Sequence, residues 1–374
     1  MKSALVAALL LALVSPARAG DEYGGATVIF ARGSSLIRTD PRGKGETEVA
    51  KLAAKVAVRA LRTDARGTVL LADLGGKWSW MKLDGTESTL TDLPCADGPA
   101  QLAVDGACVL CRSTTSATGS MIVNLRTGKT TAVEIPSPGA RLVGEGAQRR
   151  IVWADAKGVW SAPLNDATKK QQLAPEGPLR SFLPSPDGTR AIGVYKDIVH
   201  EGKQSKPAEL LMSFLLDGQA ARRKSIKAGV PIEWSHDNNW LLLQDRGSAC
   251  IMGAFGGEYK CWKGYTGASI APDGKWALAL GSRSGNSDDK KSSKKKGSKK
   301  DAKKDAPKDP DVEPTNEAEN AGGEMTATDD VEVAPPSGPL ALYRTKLAGP
   351  FSEAPARIVS VVDGAAVWIP GPAN

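Results

Sequence analysis

The histidines are the first candidates for chemistry in this 374-residue chain, and there are only two. His200 lies in a polar stretch, and His236 occupies the second position of a turn. Two separated histidines do not form a His-rich metal site, and a Ser-His-Asp triad would have to use one of them. We interpret both as exposed turn residues. The sequence therefore gives no catalytic, cofactor-binding or metal-binding residue, and we expect no cofactor.

Cysteines are the second group, and the chain has Cys95, Cys108, Cys111, Cys250 and Cys261. Cys108 and Cys111 have the spacing of a redox or metal-binding pair, but they lie in a strand pattern that points their side chains to opposite faces. The four-residue loop of one hairpin places Cys250 opposite Cys261, within reach of a disulfide. A second disulfide is predicted between Cys95 and Cys111, which leaves Cys108 buried and free.

Aspartates recur in a repeated turn. Ser185-Pro186-Asp187-Gly188 returns as Ser235-His236-Asp237-Asn238 and as Ala271-Pro272-Asp273-Gly274, each time between two short apolar runs. Proline fixes φ, aspartate bonds the backbone that follows it, and glycine or asparagine accepts a positive φ. Such carboxylates could serve a glycosidase, but turn chemistry already accounts for them. The residues assigned to structural turns are Asp64, Gly67, Asp187, Gly188, Asp237, Asn238, Asp273 and Gly274.

The interval between the turns indicates a repeat. The turns are identified by their first acidic residues, which are Asp64, Asp105, Glu145, Asp187, Asp237 and Asp273. The successive intervals are 41, 40, 42, 50 and 36 residues, and the longest is ascribed to a loop lengthened by His200 to Pro207. Four short strands in about 40 residues are typical of a β-propeller blade. A β-sandwich is the alternative.

The two ends of the chain predict how the ring closes. The first residues supply only three strands, whereas Arg357–Val362, Asp363-Gly364 and Ala365–Ile369 look like the opening of a further blade. Pairing of C-terminal strand material with the N-terminal blade would close the ring and remove exposed sheet edges. The predicted fold is an all-β propeller of seven four-stranded blades, with six or eight as alternatives.

The start of the chain predicts export. Lys2, the apolar run Leu5–Val14 and the small residues around Ala19 fit a secretory signal peptide over residues 1–19. The apolar run is too short to span a bilayer, and no later run is long enough for a transmembrane segment. We therefore expect residues 20–374 to form a periplasmic or secreted propeller after cleavage near Ala19.

A charged stretch at residues 282–338 interrupts the strand pattern. Its first part is rich in lysine and its second part in acidic residues, with ten Lys and one Arg against thirteen acids. It has almost nothing apolar to bury, so it is predicted to be a disordered insert between the second and third strands of the last blade. The whole chain has a formal charge of +7, but the lysine run lacks the interleaved aromatic residues that stack bases. We expect no nucleic-acid partner.

Aromatic residues accompany the turns. Trp234, Trp240, Trp276 and Trp368 lie at or beside the flanking strands. Packing between blades is favoured over a sugar-stacking platform.

The segments Phe182–Ile192, Ile232–Leu242 and Ile270–Leu278 resemble the Ser-Pro-Asp-Gly repeats of TolB-type and related WD-like propellers. The resemblance covers the second half of the chain well and the first half only by spacing. The chain lacks room for the N-terminal α/β domain of TolB, and its insert is also foreign to that family. The resemblance implies a propeller and, by analogy, an envelope partner such as a peptidoglycan-associated lipoprotein.

Together these features predict a monomeric, non-catalytic propeller that binds a protein partner of the cell envelope over one face. The alternative is a hydrolase or lyase that acts on sugar or peptide through carboxylates around a central channel. Convergent Asp, Glu, Arg and Tyr side chains in that channel would favour the enzyme. A bare or apolar channel with a wide exposed patch would favour the scaffold.

Overall fold

A computed structural model describes residues 22–53, 56–83, 89–116, 119–135, 139–164, 166, 168–174, 179, 181–201, 204–216, 224–226, 229–245, 247–254, 258–282, 340–347 and 355–371. The predicted signal peptide lies outside the described residues, and so does the predicted insert apart from Ser282. Within the described part of the chain, no helix is long and apolar enough to cross a membrane.

The described chain consists of strands arranged in seven four-stranded antiparallel sheets, with one short 3-10 helix at Gly146–Gln148. Sheet 1 contains β1 (Thr27–Arg32), β2 (Ser35–Thr39), β3 (Thr47–Lys51) and β28 (Ala366–Ile369). Sheet 2 contains β4 (Val58–Thr63), β5 (Val69–Leu74), β6 (Lys77–Lys82) and β7 (Thr91–Asp92). Sheet 3 contains β8 (Ala100–Leu102), β9 (Cys108–Arg112), β10 (Ser120–Asn124) and β11 (Thr130–Val133).

The remaining four sheets follow the same order along the chain. Sheet 4 contains β12 (Arg141–Val143), β13 (Arg150–Asp155), β14 (Gly158–Pro163) and β15 (Gln171–Ala174). Sheet 5 contains β16 (Ser181–Pro184), β17 (Arg190–Glu201), β18 (Gln204–Leu215) and β19 (Lys224–Ile226). Sheet 6 contains β20 (Val230–Trp234), β21 (Trp240–Asp245), β22 (Ser248–Gly253) and β23 (Tyr259–Lys263). Sheet 7 contains β24 (Tyr265–Ile270), β25 (Trp276–Ser282), β26 (Leu340–Lys346) and β27 (Ala356–Val362).

The hydrophobic core lies between neighbouring sheets. Leu71 of sheet 2 packs in one cluster with Val109 of sheet 3, and Leu242 of sheet 6 packs with Ile270 of sheet 7. A strand covered on both faces reads as a continuous apolar run rather than an alternating one. β25 shows this pattern, because six consecutive residues from Trp276 are buried. Each sheet therefore depends on its neighbours for burial.

The first strands of the sheets contact one another, and we call the region that they line the channel. Each inner strand contacts the inner strand of the next sheet, in the order β4, β8, β12, β16, β20, β24 and β28. β28 in turn contacts β4. This arrangement is a β-propeller with four-stranded antiparallel blades, so the predicted fold class is confirmed at that level.

The C-terminal strand pairs with the N-terminal sheet as predicted, but the segment before it does not join the same sheet. β28 pairs with β1, from Thr27 opposite Ile369 to Phe30 opposite Ala366. The expectation that Arg357–Val362 and Ala365–Ile369 together open a further blade is wrong, because β27 is the outer strand of sheet 7 and β28 is the inner strand of sheet 1. The chain crosses between them through Gly364, whose φ is 117° and where a Cβ would collide with the carbonyl of Val58. Asp363-Gly364 therefore lies at a crossing between two sheets rather than within one blade.

The first described residues dock beside this strand. Tyr23 is buried, with its ring centroid 5.0 Å from that of Trp276 and 6.4 Å from that of Trp368. The guanidinium groups of Arg42 and Arg344 lie 5.2 and 5.4 Å from the Tyr23 ring. Burial raises the pKa of Tyr23 above its ordinary value. The N-terminal segment is thus anchored where sheets 1 and 7 meet.

The connections of the sheets fall on two faces, because the strands are antiparallel. The turns between first and second strands lie on one face, the turn face. The connections between second and third strands lie on the opposite face, the connection face. Residues 283–339 join β25 to β26, and the flanking residues Ser282 and Leu340 pair directly. The long addition to the chain therefore starts and ends on the connection face.

Sheet 5 carries a second addition on the same face. β17 and β18 each have 12 residues, and they pair up to Glu201 opposite Gln204. The inner strand β16 pairs with β17 only as far as Val194. We call residues 195–210 the arm. The predicted loop from His200 to Pro207 is corrected to two lengthened strands, a result that fits the strand-forming residues Tyr195, Ile198 and Val199.

Candidate functional site

The repeated turns use their carboxylates locally. Asp187 accepts a hydrogen bond from the Ser185 hydroxyl at 2.5 Å and one from the Thr189 amide at 3.0 Å. Asp237 has the same two kinds of partner in its own turn. Asn238 takes a φ of 60°, where the other copies have Gly188 and Gly274 at 69° and 65°. These bonds hold the pKa of Asp187 below its ordinary value although burial opposes them.

Asp64 is the most enclosed of the turn acids. It is fully buried and accepts hydrogen bonds from the amides of Thr68 and Val69 at 2.7 and 2.8 Å. The Thr68 hydroxyl donates a third bond to it at 2.8 Å. A carboxylate with three donors fixes the turn rather than offering a reactive group.

The turns also contact one another around the channel mouth. A Cβ at Gly188 would lie 2.8 Å from Val143 of sheet 4, and a Cβ at Gly274 would collide with Asp237 of sheet 6. Asp105 of sheet 3 accepts a hydrogen bond from the Gly146 amide of sheet 4 at 3.1 Å and pairs with Arg149. The glycines are therefore required for close approach between sheets as well as for the turn.

Polar side chains on the inner strands connect adjacent sheets. Gln101 of β8 accepts a hydrogen bond from the Leu142 amide at 2.6 Å and donates one to the Leu142 carbonyl at 3.0 Å. Glu233 of β20 accepts one from the Ile270 amide at 3.0 Å. Both side chains precede a turn acid by four residues and reach the same position of the next sheet. They complete the backbone hydrogen bonds of that inner strand.

Glu233 is the channel carboxylate with the most perturbed titration. Burial raises its pKa to about 7, while the Ile270 amide, Arg62 and Ser269 act in the opposite direction. Arg62 belongs to β4 on another side of the channel and is exposed. A carboxyl group whose pKa lies near neutrality is able to exchange a proton at physiological pH.

His236 departs from its predicted exposure. Its side chain is only partly exposed, and Nδ1 is buried with no hydrogen-bond partner among the described residues. Burial lowers its pKa, and the charges of Asp64, Asp237 and Glu145 oppose that shift. Asp64 and Glu145 belong to turns of two other sheets. The imidazole therefore lies close to turns from different sides of the channel mouth, which a reading of its own turn could not reveal. The side chain of His200 lies outside the described residues.

The fold is similar to that of TolB-type β-propellers. TolB from Acinetobacter baumannii aligns with a TM-score of 0.44 and 11% identity over 63% of this chain, which spans 62% of that protein's length. A TolB candidate from Agrobacterium tumefaciens gives 0.41 and 13%, over 63% of this chain and 87% of that one.

A third similar structure is an oligogalacturonate lyase in complex with manganese. It aligns with a TM-score of 0.45 and 12% identity, over 66% of this chain and 79% of that one. No protein-family model and no curated protein sequence matches the chain. At this level of identity the likeness concerns the fold alone.

Both predicted disulfides are present in the fold. Cys250 and Cys261 face each other on β22 and β23, with Cα atoms 4.0 Å apart. Cys95, before β8, is joined to Cys111 of β9 with Cα atoms 5.8 Å apart. Cys108 is buried and free as predicted, and it packs in a different core cluster from Cys111. Burial raises the pKa of the Cys108 thiol.

The tryptophans that flank the turns pack between sheets. Trp234, Trp276 and Trp368 are buried, and Trp240 is partly buried. Trp234 donates a hydrogen bond from Nε1 to the Leu183 carbonyl of the previous sheet at 3.0 Å. These contacts support inter-sheet packing over a sugar-stacking role.

Sequence reasoning missed the channel residues Gln101, Glu233 and Arg62. Arg62, two residues before Asp64, carries no positional signal, but Gln101 and Glu233 do. Both lie four residues before a turn acid, in the inner strand beside the next sheet. At that position the six turns have Ala60, Gln101, Arg141, Leu183, Glu233 and Ser269. Because the residue types at this position differ, the sequence does not show that Gln101 and Glu233 both bond the inner strand of the next sheet. Within the described residues, no cluster of three or more His, Cys, Asp or Glu could hold a metal ion.

Proposed function

We propose that this chain is an exported, non-catalytic propeller that serves as a protein-binding scaffold of the cell envelope. The observation that carries the proposal is the arm on the connection face. Sheets 1, 2 and 4 connect their second and third strands with only two residues. Sheet 5 also uses two, but its second strand runs seven residues beyond the part that pairs with the inner strand β16, and its third strand pairs with all seven. Protruding elements on a rigid ring are typical positions for recognition.

The scaffold is inferred to be one closed ring of seven blades. The pairing of β28 with β1 and the unbroken series of inner-strand contacts support this closure. A closed ring has no free sheet edge at the ends of the chain. It would hold the arm in a fixed orientation, which lowers the entropy cost of binding.

Location in an oxidising compartment is supported by the two disulfides. The signal-like residues 1–19 also support export to such a compartment. We propose a monomer, periplasmic or secreted, whose partner is an envelope protein rather than nucleic acid.

The test is site-specific photo-crosslinking in the protein's own envelope. A photoreactive residue at Lys196 on the arm should capture one dominant protein, whereas the same residue at Thr189 on the turn face should not. Thr189 is exposed, so it is a matched accessible control. Equal capture at both positions, or none at either, would refute the scaffold.

A second candidate function is favoured by one observation, the raised pKa of Glu233 near Arg62. A hydrolase or lyase acting on sugar or peptide could use such a channel carboxyl as its acid or base. Against this, Glu233 already holds the Ile270 amide. The purified mature protein should show no turnover of generic ester, glycoside or peptide substrates above a heat-inactivated control. Turnover that disappears in Glu233→Gln would establish the enzyme instead.

A further inference from the structure

The arm exposes a row of backbone groups whose direction can be derived from its neighbours. Successive residues of an antiparallel strand direct their N–H and C=O groups to opposite edges. The Ser185 amide donates to the Arg190 carbonyl at 2.9 Å, so residue 190 points towards β16. The Leu216 amide donates to the Thr189 carbonyl at 2.8 Å, so residue 189 points towards β18. Even-numbered residues of β17 therefore face the β16 side.

Two prolines give the same assignment independently. Pro184 pairs with Ala191, and Pro207 pairs with Ile198. Proline has no N–H, so it fits a sheet only where that group would point away from the partner strand. Ala191 directs its groups to β18 and Ile198 directs its groups away from β18, so neither proline breaks a ladder bond. The register runs through the arm without a bulge.

It follows that, among the described residues, the inner edge of the arm has a row of donors and acceptors with no partner strand. Ile192 and Val194 use this edge to pair with β16. Beyond them, Lys196, Ile198 and His200 direct three N–H and three C=O groups along the same edge, and none of the described strands pairs there. The outer edge, on β18, lacks a donor at Pro207. Only the β17 edge is therefore complete.

We propose that an extended segment of a protein partner adds to the arm as a strand along Lys196, Ile198 and His200, continuing the line of β16. The proposal rests on the scaffold function and specifies how its partner binds. In strand addition the backbone hydrogen bonds supply affinity, so the occupant needs an extended conformation more than a particular motif.

The occupant is a separate, acidic protein for two reasons. Residues 283–339 start on the same face but contain no Leu, Ile, Phe, Tyr or Trp, so they are poor strand formers. Cleavage near Ala19 removes Lys2 and Arg18 from a chain of formal charge +7, so a second mature copy would bring together two molecules of formal charge +5. That charge opposes self-association and favours a partner of negative net charge.

The first experiment is amide hydrogen exchange on the mature protein, alone and crosslinked to its envelope partner. Alone, the amides of Lys196, Ile198 and His200 should exchange freely, while those of Asp197 and Val199, which face β18, are protected. In the complex the first three should become protected. Protection in the dilute protein alone would mean that the chain covers its own edge. Protection that appears with concentration, together with a dimer in sedimentation, would mean a second copy. Either result overturns the proposal.

The second experiment uses a matched pair of variants. Ile198→Pro removes an N–H from the proposed binding edge, and Ser205→Pro removes one from the opposite edge near the tip. Neither change removes a bond between β17 and β18. Partner capture should fall at least about tenfold in Ile198→Pro, the order expected for losing one backbone bond and its geometry. It should stay within about twofold in Ser205→Pro.

The outcomes separate this proposal from the scaffold function. Capture that is equally reduced in both variants, or in neither, overturns strand addition while the scaffold stands. Absence of any captured partner in the native protein overturns the scaffold itself. A shortened variant, with Lys196–Glu209 replaced by a two-residue turn, guards against a folding defect. It should keep the native melting temperature and capture nothing, whereas unchanged capture would also refute the arm as the site.

Discussion

The turn face and the connection face of this propeller are formed by the same strands but differ in their loops: those of the turn face are fixed by contacts, whereas two of the connection face are lengthened. On the turn face, carboxylates and glycines are fixed by bonds within turns and by contacts between sheets, as Asp64, Asp105 and Gly188 show. On the connection face, most links are two residues long, but one sheet carries the arm and another carries residues 283–339. Additions are tolerated where they do not interrupt the links between sheets.

The difference shows which contacts contribute most to the stability of this fold. A repeat protein derives much of its stability from contacts between neighbouring units. Here those contacts lie in the cores between sheets, along the inner strands and around the turns. We therefore expect substitutions on the turn face to affect folding and changes on the connection face to affect binding.

The largest effect is expected for Asp64→Ala. The change leaves the buried Val69 amide, the part-buried Thr68 amide and the Thr68 hydroxyl without their acceptor. Bonds to charged groups contribute about 1.5–3 kcal/mol each before relaxation. We expect a loss of about 4 kcal/mol, measured by chemical unfolding. Asp273→Ala is the control, because Asp273 is exposed and holds one amide at 3.0 Å. Its loss should be about 1 kcal/mol, and equal losses at both sites would contradict the role given to burial.

Tyr23→Ala should have the next largest effect. Removing a buried aromatic ring costs about 3 kcal/mol or more when the site cannot collapse. The ring lies between Trp276 and Trp368, so its loss should loosen the junction of sheets 1 and 7. Tyr23→Phe keeps the ring and should stay within about 1 kcal/mol of the native protein. A melting temperature for Tyr23→Ala equal to that of Tyr23→Phe would show that the N-terminal segment is not an anchor.

Elements built from local signals could be predicted from the sequence. The turn at Asp187-Gly188 and the cross-strand pair Cys250–Cys261 depend on residues close in the chain, where turn chemistry and strand register decide the outcome. The function of Asp363-Gly364 could not be read this way. The same dipeptide suits a hairpin and a crossing, and only the position of β28 beside β1 distinguishes them.

The channel site was less predictable because its residues come from separate sheets. Glu233 and Arg62 are far apart in sequence and belong to sheets 6 and 2, yet the charge of Arg62 acts on the pKa of Glu233. The exposure of His236 was predicted from its own turn alone, whereas the charges that act on its pKa include Asp64 and Glu145 from turns of two other sheets. The period of the repeat predicts where such a residue lies within its own sheet. It does not predict which residues of the other sheets act on it.

Glu233→Gln should produce a smaller, pH-dependent effect. The pKa of Glu233 rises from an ordinary 4.5 to about 7 in the folded protein, mainly through burial. The stability that follows from this shift is complete below the unfolded pKa and is lost as pH rises through about 7. Glutamine stays neutral and can still accept the Ile270 amide.

The measurement is the melting temperature of both proteins between pH 5.5 and 8.5, which isolates Glu233 from other titrating groups. The native protein should lose stability relative to Glu233→Gln as pH rises through about 7. A difference independent of pH would mean that Glu233 is ionised throughout this range. A difference of opposite sign would mean that its interaction with Arg62 outweighs burial.

The smallest effect is expected from replacing residues 284–336 with a short Gly-Ser linker. The strands on either side pair along their whole length, with Ser282 opposite Leu340, so the link between them needs only a hairpin turn. The entropy of closing a loop changes slowly with its length, by about 0.6 kcal/mol for each doubling, and a shorter loop is favoured. We expect a melting temperature within about 2 °C of the native value. A decrease of more than about 8 °C, which corresponds to a loss of a few kcal/mol in a large domain, would show that the segment packs on the propeller. The connection face would then contribute to stability as the turn face does, and the contrast between the two faces would fail.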